Sequence, residues 1–144
     1  RIRNLCEREQ GIRDALDRAG FPLAATIEVD VSSEGAFQDF DAWIKQLPDL
    51  PDALFAENDI LAAAVIRVLK KHGYRVPDDV SVIGFDDIAL GRLPHIHLTT
   101  VSQREAQAGE LAIRRLLEKI EGSAEGTQDI LEPELVIRST CRRI

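Results

Sequence analysis

The sequence predicts an α/β protein with a doubly wound, mainly parallel sheet and helices on both faces. Three observations predict it. Helical patterns of a dozen or so residues alternate with short strand patterns along most of the chain. The strands read as near-continuous apolar runs, such as "ALF" and "SVIGF", which is how strands covered on both faces read. The helical stretches also carry start and stop signals at their ends.

Each element follows from its own residues. Residues 5–19 place Leu5, Ile12, Ala15, Leu16 and Ala19 on one helical face, and Gly20 suits a left-handed cap behind them. Residues 25–30, "ATIEVD", read as a short strand. Ser32 or Ser33 can cap a second helix with Glu34 near its positive end. Phe37, Phe40, Ile44 and Leu47 line its face, and Pro48 stops it. Residues 53–57, "ALFAE", are the next strand. "NDILAAAVIRVLKKHG" is a third helix, capped by Asn58 or Asp59, with Lys70 and Lys71 in its last turn and Gly73 beyond. Residues 80–85 form a buried strand, and residues 98–101, "LTTV", another. Ser102-Gln103-Arg104-Glu105 has the spacing of a capping box. The helix behind it keeps Gly109, Ala112, Ile113, Leu116, Leu117 and Ile120 on one stripe, and Gly122 ends it. "EGSAEGTQ" reads as a polar linker, and residues 134–139, "ELVIRS", as the closing strand. There is no internal repeat.

Bulk properties narrow the function. The 144 residues suit one domain of ordinary size with a real core. Apolar residues make up 44% and charged residues 30%, a soluble globular balance rather than a disordered one. The net charge of -7 is wrong for holding a phosphate backbone, so DNA contact would need residues outside this chain. Two cysteines, Cys6 and Cys141, are too few for a disulfide framework, and a reduced cytoplasmic setting is the expectation. No apolar run reaches membrane-spanning length. Methionine is absent throughout, which predicts that residue 1 is not a natural start.

In a parallel sheet, ligands meet the loops after the carboxyl ends of the strands. Asp86, Asn58 with Asp59, and Asp30 each stand directly after a predicted strand. Three strand ends thus offer polar side chains to one rim. Asp87 suits the turn, and Gly84 allows either a ligand or a packed neighbour to come close. No nucleophile elbow, phosphate loop or dinucleotide fingerprint occurs, so no catalytic residue and no enzyme are expected. His72, His95 and His97 lack the accompanying ligands of a metal site, and neither metal nor cofactor is expected.

The ordered set Arg8-x-x-Gly11, "AENDILAAA", "HGYRVPDDVSVIGFDD", "LTTVSQ" and "ELVIRST" resembles the core domain of the lactose/galactose-repressor (LacI/GalR) family of bacterial transcription regulators. The resemblance implies a periplasmic-binding-protein-like core with a small-molecule effector between two subdomains. It assigns residues 1–101 to the C-subdomain, 102–121 to a helix crossing to an absent N-subdomain, and 122–144 to a linker and closing strand. The headpiece that would bind operator DNA is missing from this plan. So is the first, central strand of the C-subdomain, which would lie between residues 25–30 and 53–57. Either a longer polypeptide or association would have to fill that gap.

By the same resemblance, Arg8, Asp86, Asn58, Gln103 and Asn4 are effector-binding positions. Arg8 offers a planar fork for two hydroxyls or an anion, and Asp86 accepts two hydroxyl protons. Val31 stands where relatives often place a stacking aromatic, a departure that counts against a pyranose-type effector. Ala62, Ala63, Ile66, Pro94 and Ile96 would lie at a homodimer interface. The implied function is the sugar-like or purine-like effector core of a dimeric, cytoplasmic regulator that touches DNA only through its headpiece. The alternative is a periplasmic sugar-binding receptor feeding a transporter.

Overall fold

The computed structural model describes residues 3–122 and 128–143. Its elements run α1 (Arg3–Ala19), α2 (Ser33–Ile44), β1 (Ala53–Phe55), α3 (Asp59–Lys71), β2 (Ser81–Phe85), a 3-10 turn (Ala89–Arg92), β3 (Thr99–Ser102), α4 (Glu105–Ile120) and β4 (Glu134–Val136). The four strands form one sheet in the order β1-β2-β3-β4. β1, β2 and β3 are parallel, and β4 runs antiparallel to β3. This is the α/β, mostly parallel class the alternation predicts.

Local signals set most helix ends. Ser32 caps α2, its side chain accepting from the Gly35 amide, and Asn58 caps α3 by accepting from the Leu61 amide. Gly20 and Gly73 take positive φ, and the paired return bonds Phe21 N to Leu16 O and Tyr74 N to Leu69 O close Schellman ends on α1 and α3. The core gathers Phe40 and Ile44 of α2, Ala62, Val68 and Leu69 of α3, Val82 of β2, and Val80 and Leu98 just before their strands. Thr140 is buried between β2 and β3. Its carbonyl accepts from Val82 N, and its hydroxyl donates to Val82 O while accepting from Thr99 N.

Three expectations need correction. Residues 25–30 form no strand: the segment has no regular structure, although Ile27 packs on the core. A strand exists by pairing, and among the described residues β1 pairs only with β2 and offers this segment nothing. Asp30 therefore serves a turn instead, accepting from Ser32 N and Ser32 Oγ. The capping box also fails, because Ser102 is the last residue of β3 rather than a cap. Arg104 takes the cap position in a left-handed conformation, with no side-chain cap, and its amide donates to Ser102 Oγ. Ala62, expected at a dimer surface, is wholly buried against the sheet. The remaining strands form but are shorter, or shifted by a residue, relative to the sequence reading. The predicted linker falls largely on residues 123–127, outside the described residues.

α4 stands apart. Ile113, Leu116, Leu117 and Ile120 are all exposed along one stripe, and neither α1 nor α4 has a buried residue. No helix among the described residues is long and apolar enough to cross a membrane.

Candidate effector site

The carboxyl ends of β1, β2 and β3 bring together Arg8, Glu57, Phe85, Asp86 and Gln103. Arg8 reaches in from α1. Its Nη1 donates to Glu57 O at 2.7 Å and to Glu57 Oε2 at 2.8 Å. Its guanidinium lies 3.5 Å over the centre of the Phe85 ring. With 16% of its side chain exposed, Arg8 is a fixed part of the rim rather than a solvated charge. Asp86 follows Phe85, and its Oδ1 accepts from Gln103 Nε2 at 2.6 Å. Asn58 sits on the same rim after β1, with its oxygen committed to the α3 cap at 2.9 Å.

Two sequence candidates are not drawn into this set. Val31 is 86% exposed ahead of α2. Asn4 is exposed on α1, one turn before Arg8.

The loop after β2 has an unusual backbone. Asp86 and Asp87 adopt φ of 105° and 56°, a costly pairing that persists only where surroundings enforce it. Several contacts do so. Asp86 N donates to Val101 O. Asp87 accepts from Arg92 and from Arg138, whose second Nη donates to Leu98 O at 2.7 Å. Ile88 N donates to Asp59 Oδ2 at 2.9 Å, and Thr100 Oγ1 donates to Asp59 Oδ1 at 2.5 Å. Asp59 is wholly buried, and burial pushes its carboxyl above the usual range, with the charges of Asp86 and Asp87 adding to the effect. Gly84 answers to this packing: a Cβ there would stand 2.3 Å from Asp59 Oδ1.

The electrostatic pattern is selective. The Arg8 charge is matched by Glu57, and the Asp87 charge by two arginines. Among the described residues, Asp86 meets only the neutral Gln103. An open groove of about 450 Å³ runs from Asp86 and Asp87 past Ser102 and Arg104. Arg8, Asn58 and Gln103 lie outside its lining, so the groove takes in only Asp86 of these rim residues.

Glu57, Phe85 and Arg138 were not singled out as site residues from the sequence. Glu57 was within reach of the strand-end rule, since it directly precedes Asn58. Arg138 gave no signal beyond a charge inside an apolar run. Among the described residues, no group of three His, Cys, Asp or Glu side chains could hold a metal, and both cysteines are free thiols.

A mostly parallel sheet with ligand-ready side chains at its carboxyl rim defines the class of a binding-protein-type domain. Residues 4–141 match the family described as periplasmic binding protein-like domain, and the chain belongs to it. Within that class it is similar to transcription regulators of the LacI family. It is 37% identical over 144 residues to the HTH-type transcriptional repressor PurR of Mannheimia succiniciproducens, an alignment covering 96% of this chain and 42% of that relative. The solved transcriptional regulator CelR–cellobiose complex matches with a TM-score of 0.78 and 33% identity, over 94% of this chain and 42% of that one. A dimeric Lac repressor with an 11-residue C-terminal deletion matches with a TM-score of 0.84 and 30% identity, over 93% and 49%. The relatives are transcription regulators, not enzymes, and the chain spans less than half the length of the curated relative described above.

Proposed function

We propose that this chain is the effector-binding and dimerisation core of a transcription regulator, taking a small neutral ligand rich in O–H or N–H donors. One observation carries the reading. Asp86, which forms no ion pair among the described residues, follows Phe85 of the Arg8–Phe85 stack at the strand ends. A carboxylate paired only with an amide favours ligand donors over a ligand anion. Since Glu57 already satisfies the Arg8 charge, a phosphate or carboxylate ligand gains less there. A sugar-like polyol or a purine-like base fits these requirements, and the cellobiose in the CelR structure supports the polyol. Asn58 would contribute its NH2, with its oxygen engaged in the cap. Val31 and Asn4, which stand apart from this set, are not needed by the reading.

A ligand that prefers one arrangement of the core shifts the population towards it, and a dimer can pass that shift to a DNA-binding headpiece. Ala63, Ile66, Pro94 and Ile96 are proposed as dimer contacts, and the dimeric Lac repressor supports an assembly of this kind. The exposed stripe on α4 is proposed to pack on the remainder of the core. Operator DNA would be met only through a headpiece, in the cytoplasm. A periplasmic receptor would share this rim, but the relatives named as repressors favour the regulator.

Titration calorimetry against pentoses, hexoses, disaccharides and purine bases tests the proposal. One class should bind, and Arg8→Ala or Asp86→Ala should each weaken it at least tenfold, about 1.4 kcal/mol, with the circular dichroism spectrum intact. Binding unchanged in both variants would sink the assignment.

A further inference from the structure

We infer that Asp59 is the positioning residue of the rim: it fixes where Asp86 points by gripping the loop that follows it. The inference rests on the reading of Asp86 as a ligand contact.

Asp59 opens α3 directly after Asn58, yet it faces the interior and is wholly buried. One carboxyl oxygen accepts from Thr100 of β3, the other from the amide of Ile88, two residues beyond Asp86. Asp59 therefore ties three rim-bearing parts together: the α3 start with Asn58, the β2 loop with Asp86, and β3, which leads to Gln103. Two glycines make room for it. A Cβ at Gly84 would stand 2.3 Å from one carboxyl oxygen, and a Cβ at Gly91 would stand 3.3 Å from the other. Such close clearance means the carboxyl cannot drift, so the amide it holds cannot drift either.

The neighbours sharpen the point. Positive φ at both Asp86 and Asp87 leaves that loop dependent on its anchors. The other anchor, on the far side, is Asp87 with the exposed Arg92 and the largely buried Arg138. The charges facing Asp59 are those of Asp86 and Asp87, with Arg92 and Arg138 behind Asp87. Asparagine can keep both contacts, accepting from Ile88 N through its oxygen and donating to Thr100 through its NH2. Alanine keeps neither.

The test is a set of amide NMR spectra of the wild type, Asp59→Asn and Asp59→Ala, with cellobiose as the probe ligand. Asp59→Ala should displace or broaden the amides of Asp86, Asp87 and Ile88 and the Gln103 side-chain NH2, while Val68 and Leu69 stay in place. Asp59→Asn should restore the rim signals to near their wild-type positions. Where wild type binds cellobiose, Asp59→Ala should weaken it at least tenfold and Asp59→Asn by no more than about twofold, since the conservative variant keeps the rim geometry. Rim signals unmoved in Asp59→Ala, or moved equally in Asp59→Asn, would overturn the inference. If Asp59→Ala does not fold, Thr100→Val removes one anchor, and the same rim signals must move in part. A wild type that binds no cellobiose counts against that disaccharide alone, because the calorimetry panel tests the effector reading and the ligand-free spectra still decide the role of Asp59.

Discussion

Replacing Gly84 with alanine puts the packing of the rim to a quantitative test. The new Cβ would stand 2.3 Å from Asp59 Oδ1, 2.8 Å from Leu98 Cδ2 and 3.3 Å from the Cβ of Ala62. Leu98 can rotate its far methyl, but the Asp59 carboxyl is enclosed. To regain ordinary contact it must retreat by roughly 1 Å, which breaks its 2.5 Å bond from Thr100. Overpacking of this kind costs about 1–3 kcal/mol. Leaving a buried acceptor without its donor adds about 1–3 kcal/mol. The sum is about 2–6 kcal/mol, which for a chain of this size lowers the melting temperature by roughly 5–20 °C. Urea unfolding followed by circular dichroism should show that loss as a lower midpoint with an unchanged slope. A matched control is Gly109→Ala in the interior of α4, where a Cβ meets nothing within 4 Å. There the same substitution should stabilise by about 0.5–1 kcal/mol. If the clash is with the carboxyl, Gly84→Ala should cost about 1–3 kcal/mol less in an Asp59→Ala background. A loss below about 1 kcal/mol in the wild-type background would refute the argument, since ordinary tolerance would then explain it.

Other expectations follow from the ion pairs. Arg138→Met leaves Asp87, 11% exposed, with one arginine fewer and Leu98 O without its donor, and should cost about 3 kcal/mol in the same unfolding assay. Asp41 joins α2 to α3 by accepting from Lys45, Lys71 and His72, and these bonds, that from Lys45 foremost, hold its carboxyl well below the ordinary 3.8. A depressed carboxyl stabilises the fold above its ordinary value and loses that contribution as pH falls through the folded value. Wild type should therefore exceed Asp41→Asn in stability at neutral pH, with the difference shrinking in unfolding curves taken below about pH 4. Asp59 has the opposite sign. Its raised carboxyl favours the protonated fold, so Asp59→Asn should be at least as stable as wild type at pH 7, and that advantage should fade in acid.

How far the fold could be read depended on how local its causes are. Caps and stops act within four residues, so Ser32, Asn58, Gly20 and Gly73 were found where the structure uses them. The parallel strands were legible as short apolar runs, although β2 buries only one of its faces and β1 neither. The stretch 25–30 alternates apolar and polar residues as a strand can, yet a ladder needs a neighbour, and the residues of one segment do not tell whether a neighbour is present. The capping box failed for a related reason. Its spacing is right, but Ser102 was claimed by β3, where Glu134 of β4 pairs with it in register.

The site divides along the same line. Asp86 and Asn58 were legible as rim residues because each follows a strand, and Arg8 because of the resemblance. Glu57 and Phe85 stood beside them unread, since only the approach of α1, 49 residues away from Glu57, shows what they hold. The deeper supports were illegible in principle. Asp59 meets Ile88 at a separation of 29 residues and Thr100 at 41, and Arg138 meets Asp87 at 51. A carboxylate after a strand looks alike in sequence whether it turns outward to a ligand or inward to a threonine. What separates Asp59 from Asp86 is the glycine opposite. Gly84 leaves space into which one carboxylate can sink, and the chain's other end supplies the arginine that steadies the next. At the rim, Asp59 and Asp87 are thus held by structural partners, while Asp86 between them meets only the neutral Gln103 among the described residues.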